Sequence, residues 1–170
     1  MVAFNDKIEK KTELFENDVR KWVQAFSDES PWRIYYNAER EFLRKKNSQA
    51  LKLIASGLEK YPAFENFLRL RAMLYITTKD HDEALEDVVQ LEKNPSNAEM
   101  CAYFRALILL REKEFKKAAT IFRELIAKDS GYYRCLEQLL NIYWSQDANY
   151  VTDEEANSFV ETIKEAEPYS

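Results

Sequence analysis

A repeat of fixed period constrains the fold of this chain more than any other feature of its sequence. Alanine recurs at one constant interval, which we call the repeat period, in two series that keep a constant offset from each other. The first series is Ala38, Ala72 and Ala106, and the second is Ala50, Ala84 and Ala118. Self-similarity at a fixed period of about 20–50 residues is typical of repeat proteins, in which each unit buries its apolar face against its neighbours.

The residues around these alanines predict two helices in every unit. Apolar residues follow the second series at steps of three and four, as in Leu51, Ile54 and Leu58, which is the spacing of one face of an α-helix. Pro62 and Pro95 come after these faces, and a helix usually stops before a proline. Short turns should join the paired helices. We expect these turns at 45–48, 79–81 and 113–115.

Composition agrees with an all-helical chain. Only two glycines and four prolines occur in 170 residues, so the chain has little material for hairpin turns, phosphate-binding loops or dinucleotide fingerprints. The apolar fraction is 46% and the charged fraction is 32%, as in ordinary globular domains. A chain of this length buries about two thirds of its unfolded surface.

Charge and hydropathy exclude several classes of partner. The formal net charge is −5, so the chain lacks the overall basic character that drives non-specific nucleic-acid binding. No apolar run approaches the length of about 20 residues that membrane insertion requires. The first residues show no cationic start that leads into an apolar stretch. We therefore expect no nucleic-acid partner, no membrane insertion, no secretory signal and a cytoplasmic location.

The residues that carry chemistry are few. Cys101, Cys135 and His81 are too few for a zinc site or a disulfide framework, and no nucleophile, base and metal set can be assembled from the sequence. We expect no catalytic residue, no metal and no cofactor. The two cysteines are predicted to be free thiols packed as small apolar residues, and His81 to be a solvated turn residue.

The repeat period resembles that of the tetratricopeptide repeat, a helix-turn-helix unit of about 34 residues with small residues at the helix crossing and a proline near its end. The residues that carry the resemblance in the second unit are Leu68, Ala72, Tyr75, Ala84 and Pro95. The resemblance implies an all-α fold, a right-handed helix-turn-helix solenoid of about four such repeats. The implied repeat domain spans 31–170, with units at about 31–64, 65–98, 99–132 and 133–168.

The resemblance also implies a function, because in this family the first helices of the units line a concave surface. The implied function is a non-catalytic protein–protein interaction module, an adaptor or chaperone-like protein, that binds a peptide or helical segment of a protein partner. The residues that the family geometry assigns to this groove are Trp32, Tyr35, Arg69, Met73, Tyr103, Leu107, Arg134 and Trp144. Aromatic residues and arginine are enriched at interface hot spots.

Two subfamilies differ in how far the chain resembles them. The carboxylate-clamp repeats of co-chaperones grip the C-terminal acid of a heat-shock chaperone, and their Lys, Asn and Arg positions hold other residues here, so that activity is not implied. The residues at those positions are Tyr35, Glu39, Leu70, Met100 and Phe104. In size, acidity and repeat number the chain is similar to the small chaperones of bacterial type III secretion translocators.

An amphipathic helix is predicted before the repeats, in the N-terminal segment 1–30. Its apolar face carries Phe15, Val19, Trp22 and Phe26. Such a helix can cap the open side of the first repeat, dimerise, or occupy the groove. The alternative function is therefore a structural subunit that self-assembles, as a homo-oligomer, through this helix or the solenoid ends.

Overall fold

The chain is described here from a computed structural model, which covers residues 21, 25–128, 133–145 and 150–166, with side chains as far as 164. The described residues form eight α-helices, one short 3-10 helix at Pro95–Asn97, and no strand, so the predicted all-helical class is confirmed. The helices are α1 Pro31–Leu43, α2 Asn47–Lys60, α3 Glu65–Thr78, α4 His81–Leu91, α5 Ala98–Arg111, α6 Phe115–Lys128, α7 Tyr133–Trp144 and α8 Asp153–Ala166.

Two compact units divide the chain, one within Met1–Arg71 and the other within Ala72–Ser170, with the boundary inside α3. In the N-terminal unit α1 packs along α2. In the C-terminal unit α4 packs on α5, α5 on α6, α6 on α7, and α7 on α8. The alanines of both series are fully buried, and small side chains let helix axes approach to about 8–10 Å.

Helix ends follow the sequence signals. Pro31 lies in the first turn of α1, where the missing N–H costs nothing, and Ser30 precedes it with an extended backbone. The Ser30 side chain makes no capping hydrogen bond. α2 ends at Lys60 before Pro62, and α4 ends at Leu91 before Pro95.

The three turns between paired helices share one backbone conformation, which was not predicted from the sequence. Lys45, Lys79 and Lys113 have φ angles of 60°, 70° and 65°, so each lies in the left-handed region that favours glycine. The residue after each lysine donates its N–H to the carbonyl five positions earlier. These bonds are Lys46 to Glu41 at 2.9 Å, Asp80 to Tyr75 at 2.9 Å, and Glu114 to Leu109 at 2.8 Å. This is the Schellman ending of a helix.

A capping box starts α8. The Thr152 N–H donates to Glu155 Oε2 at 3.0 Å, and the Glu155 N–H donates to Thr152 Oγ1 at 3.2 Å. Arg123 of α6 holds both oxygens of the same carboxylate at 3.1 Å and donates to the Tyr150 carbonyl at 2.6 Å. α8 is therefore anchored to α6 through one carboxylate.

This anchor predicts an acid-sensitive contribution to stability. The bond from the Thr152 N–H, and after it Arg123, hold the pKa of Glu155 below its usual value. A carboxyl with a lowered folded-state pKa stabilises the protein fully above its unfolded pKa of about 4.3, and that contribution is lost as the pH falls through the folded pKa. We expect Glu155→Gln to lower the free energy of unfolding at pH 7 by about 0.5–1 kcal/mol, because glutamine can keep the capping box but loses the charge that pairs with Arg123 and favours the N-terminus of α8.

Urea titrations of the parent and Glu155→Gln measure this difference. It should shrink towards zero as the pH falls well below about 4. Glu154→Gln, on the exposed neighbour in the first turn of α8, is the matched control and should behave like the parent. A parent-to-Gln difference that is equal at all pH values would contradict the role of the charged carboxylate.

Among the described residues, no helix is both long enough and apolar enough to cross a membrane.

Candidate functional site

The N-terminal unit carries a cluster of aromatic rings between the start of α1 and the start of α3. The Trp32 and Phe64 ring centroids lie 4.9 Å apart at 86°, and Phe64 meets Phe67 at 5.0 Å and 63°. Tyr35 joins the same cluster, with its ring centroid 6.4 Å from that of Phe64. Edge-to-face rings at these distances stabilise the fold by more than the burial of their surface area alone accounts for. The cluster fixes Trp32, which is itself exposed.

Polar contacts fix Tyr35 from the other side. Its hydroxyl donates to Glu39 Oε1 at 3.2 Å. Burial of the ring, followed by the charge and the hydrogen bond of Glu39, raises the pKa of Tyr35 to about 12, and the positive charge of Arg69 opposes this shift. Arg69 in turn lies 3.5 Å from Glu65 Oε2. Tyr35 of α1 and Arg69 of α3, which are separated by one repeat period, are therefore electrostatic neighbours.

A close helix approach that the sequence did not predict supports this cluster. Gly57 lies in α2 and is buried against Phe67, which is fully buried. A Cβ atom on Gly57 would lie 2.7 Å from Cε1 and from Cε2 of the Phe67 ring. Real Cβ atoms essentially never come this close to another heavy atom. The ring of Phe67 therefore rests directly on the backbone of α2.

In the C-terminal unit, Tyr103 of α5 lies between α6 and α7. Its ring centroid is 5.9 Å from that of Phe122. Burial raises the pKa of the Tyr103 hydroxyl, with further increases from Cys135 and Glu137 and a decrease from Arg134. Tyr103 and Glu137 are again separated by one repeat period, so they are neighbours on consecutive first helices of the predicted units.

One face of α7 is wholly exposed and the other is wholly buried or half-buried. Four exposed residues at helical spacing form what we call the α7 face: Arg134, Glu137, Asn141 and Trp144. Tyr133 at the start of the helix is exposed as well. The buried residues are Cys135, Leu136, Leu139, Leu140 and Ile142. Trp144 is 62% exposed, which is unusual for so large an apolar side chain. Of the predicted groove residues, Arg134 and Trp144 lie on this face.

The other predicted groove residues differ in their surroundings. Leu107 is only 8% exposed and belongs to the core, because its position on α5 faces the packed side of the helix. Met73 and Arg69 are half-buried. Of the predicted N-terminal face, Phe26 is half-buried and its carbonyl accepts a bond from Arg33 Nη1 at 2.9 Å. Phe15, Val19 and Trp22 lie outside the described residues.

The few reactive side chains do not converge. Cys101 and Cys135 are free and buried, and burial raises the pKa of Cys135 to about 11. His81 is not the solvated residue expected from its sequence, because its side chain is only 17% exposed and its Nδ1 lies 3.3 Å from Glu112 Oε1. Within the described ranges no group of three or more His, Cys, Asp or Glu could hold a metal ion.

Comparison with known proteins gives no relative: no protein-family model, no curated protein and no solved structure matches this chain.

Proposed function

We propose that this chain is a tetratricopeptide-like repeat protein whose function is non-catalytic recognition of a protein partner. The α7 face and the adjoining Tyr103 form the recognition surface in the C-terminal unit. The Trp32 and Tyr35 cluster is the equivalent surface in the N-terminal unit. The partner is a peptide or a helical segment of another protein, because these surfaces combine aromatic anchors with charged groups of both signs.

The repeated turns support the repeat assignment. Lys45, Lys79 and Lys113 recur at the repeat period and have the same left-handed conformation. The helix ending around each lysine uses the same hydrogen bond. A conformation that most residues avoid, repeated at the period of the alanines, indicates that three copies of one helix-turn-helix unit follow each other in the chain.

Electrostatic interactions between equivalent helices, together with one ion pair, support stacking of the predicted repeats inside each compact unit. Tyr35 and Arg69 are neighbours in the N-terminal unit, and Tyr103 and Glu137 are neighbours in the C-terminal unit. Arg123 of α6 binds Glu155 of α8, so the second helices of the last two predicted repeats also meet. In stacked helical repeats each unit contacts the units next to it, and its first helix contributes to an extended binding surface.

The exposed Trp144 carries the functional proposal. A tryptophan that is 62% exposed on a helix, with Arg134 and Glu137 on the same face, matches the residue types that dominate the energy of protein interfaces. The opposite face of α7 supplies its own fully buried core, so the exposed tryptophan is not needed to hold the helix in place. We expect burial of this ring by a partner to contribute to the binding free energy.

The test is affinity capture from a lysate of the native source with the parent and with Arg134→Glu/Trp144→Ala. Both residues are exposed, so the double variant should keep the parent's circular dichroism and unfolding midpoint. We expect a stoichiometric partner on the parent and a loss of about 100-fold or more in its affinity for the variant, since hot-spot residues each contribute about 2 kcal/mol or more.

A matched control changes the same residue classes elsewhere in the C-terminal unit. Lys116→Glu/Tyr150→Ala replaces one cation and one exposed aromatic ring outside the α7 face, and it should capture the partner like the parent. Equal affinity of the parent and the Arg134→Glu/Trp144→Ala variant for the captured partner would sink the proposal.

A further inference from the structure

Two surfaces that the proposed function does not use carry opposite charges and exposed apolar residues. The first, which we call the basic tip, is the turn between α1 and α2, at residues 40–46. Leu43 projects there with 75% of its surface exposed. Around it are the cations Arg40, Arg44, Lys45 and Lys46.

One carboxylate lies close to three cations of the basic tip. Glu41 lies 3.6 Å from Arg40, 3.6 Å from Arg44 and 3.9 Å from Lys46. These cations keep about half of their side-chain surface exposed. The tip is thus strongly positive in a chain whose net charge is −5, and an exposed leucine stands at its centre.

The second surface, which we call the acidic strip, follows the outer side of α4. Asp82, Leu85, Glu86, Val89 and Gln90 line a shallow concavity of about 460 Å³. Val89 is 52% exposed. Asp82 and Glu86 stand at the concavity's edge, and neither forms an ion pair within the part of the chain that the structure describes. The strip therefore offers an apolar floor and an unpaired acidic edge.

We propose that the basic tip of one copy docks on the acidic strip of a second copy. Leu43 covers the apolar floor at Leu85 and Val89. The guanidinium groups of Arg40 and Arg44 face the carboxylates of Asp82 and Glu86. The occupant is a second copy of the chain because the charges of the two surfaces are opposite and each surface has an exposed apolar residue among them, Leu43 and Val89.

The contact is heterologous, because it joins two different surfaces of the same chain. In a pair of copies, one copy keeps a free basic tip and the other keeps a free acidic strip. Further copies can therefore add until a ring closes, or a filament grows. The sequence alternative placed self-association on the N-terminal helix or the solenoid ends, whereas this contact uses the turn between α1 and α2 and the outer side of α4. Opposite charges at its edge make the association sensitive to salt.

Sedimentation velocity of the full chain at low salt tests this contact, over about 1 µM to about 1 mM protein. The parent should show an average mass that rises with concentration and falls on addition of salt. Leu43→Glu and Val89→Glu should each reduce the association constant about tenfold or more, because each places a carboxylate in the apolar centre of the contact.

Mixing the two variants gives the sharpest readout. Leu43→Glu retains an intact acidic strip and Val89→Glu an intact basic tip, so a mixture should form dimers of one copy of each and nothing larger. Arg44→Glu combined with Glu86→Lys in one chain should restore association that each change alone weakens. The matched controls Ser56→Glu on α2 and Thr120→Glu on α6, both exposed, change the charge equally and should associate like the parent.

Three results would overturn the contact: a parent that stays monomeric at every concentration, a mixture of the two variants that does not dimerise, and association that both variants leave unchanged. Sedimentation of the parent with vesicles of phosphatidylcholine and phosphatidylserine, lost in Leu43→Glu while the protein alone stays monomeric, would instead assign the tip to a membrane surface. The Arg134→Glu/Trp144→Ala variant should associate like the parent, so this contact and the proposed partner surface fail or succeed separately.

Discussion

We expect Gly57→Ala to destabilise the protein, although the same change in an ordinary helix interior stabilises it. In an exposed helix, alanine gains about 1 kcal/mol over glycine. Here the added Cβ would lie 2.7 Å from two carbons of the Phe67 ring, and overpacking of a filled core costs about 1–3 kcal/mol. The free energy of unfolding should fall by about 1–2 kcal/mol for alanine and by more for Gly57→Leu.

The partner of this clash is testable in the same system. Phe67→Ala alone should cost about 3–5 kcal/mol, as for other fully buried phenylalanines. Combined with Gly57→Leu it should cost clearly less than the sum of the two, because the leucine fills the space that the ring leaves. Two contacting residues couple in this way by about 0.5–3 kcal/mol. Urea unfolding of the four proteins gives the coupling free energy.

Ser56→Ala is the control for helix propensity, because Ser56 is the exposed neighbour of Gly57 on α2. It should leave stability unchanged or slightly raise it. Stabilisation by Gly57→Ala, of the size seen in exposed helices, would contradict the close approach of Phe67 to α2.

The second large effect is expected from relief of the three left-handed lysines. A residue with a Cβ in the left-handed region destabilises the folded state by about 1–2 kcal/mol. Glycine removes this strain, but it also raises the conformational entropy of the unfolded chain, which offsets part of the gain in stability. We expect Lys45→Gly, Lys79→Gly and Lys113→Gly each to raise the free energy of unfolding by about 0.5–1 kcal/mol. The triple variant should gain about 2 kcal/mol for additive effects. The turns that hold Lys79 and Lys113 are joined by the contact between His81 and Glu112 at 3.3 Å, so any departure from additivity should involve these two substitutions.

Lys52→Gly is the control, and it should change the free energy of unfolding in the opposite direction. Lys52 is exposed in the interior of α2, so glycine there should cost about 1 kcal/mol. Lys113→Val is a second check, because a β-branched residue tolerates a positive φ worst, and it should destabilise. Thermal unfolding measures each variant. A loss of stability in all three turn variants would mean that the lysine side chains, and not the backbone conformation, hold these turns.

The helices of this fold are predictable from the sequence because their signals are local. The spacing of Leu51, Ile54 and Leu58 gives a helical face, and Pro62 and Pro95 give the ends that the structure has. The buried alanines follow in the same way, since a small residue repeated at a fixed period belongs where helices cross.

The left-handed conformation of the turns and the glycine contact were not predicted, for a physical reason. A positive φ is normally announced by glycine or asparagine. Here lysine occupies all three sites, so only its own recurrence at the repeat period could have revealed them. The meaning of Gly57 depends on Phe67, which lies in another helix, and no local pattern contains that contact.

The predicted site residues also differ in whether the sequence could place them correctly. On α7, the family geometry assigned Arg134 and Trp144 to the groove, and both lie on the exposed face of the helix with Glu137 and Asn141. Leu107 could not be placed correctly, since an inward-facing leucine and a core leucine look alike in a sequence. His81 was assigned to solvent because its partner, Glu112, lies in the next turn of the predicted repeats.

The two buried thiols make it possible to measure how often the C-terminal unit opens. Both free cysteines belong to that unit, and burial raises the pKa of Cys135 to about 11. Only the thiolate reacts with disulfide reagents, so labelling must wait for a transient opening, and its rate measures how often that opening occurs. A substitution at Gly57 in the other unit then has a kinetic signature: thiol labelling that accelerates reveals cooperative opening of the whole chain, and labelling that keeps its rate reveals two units that open independently.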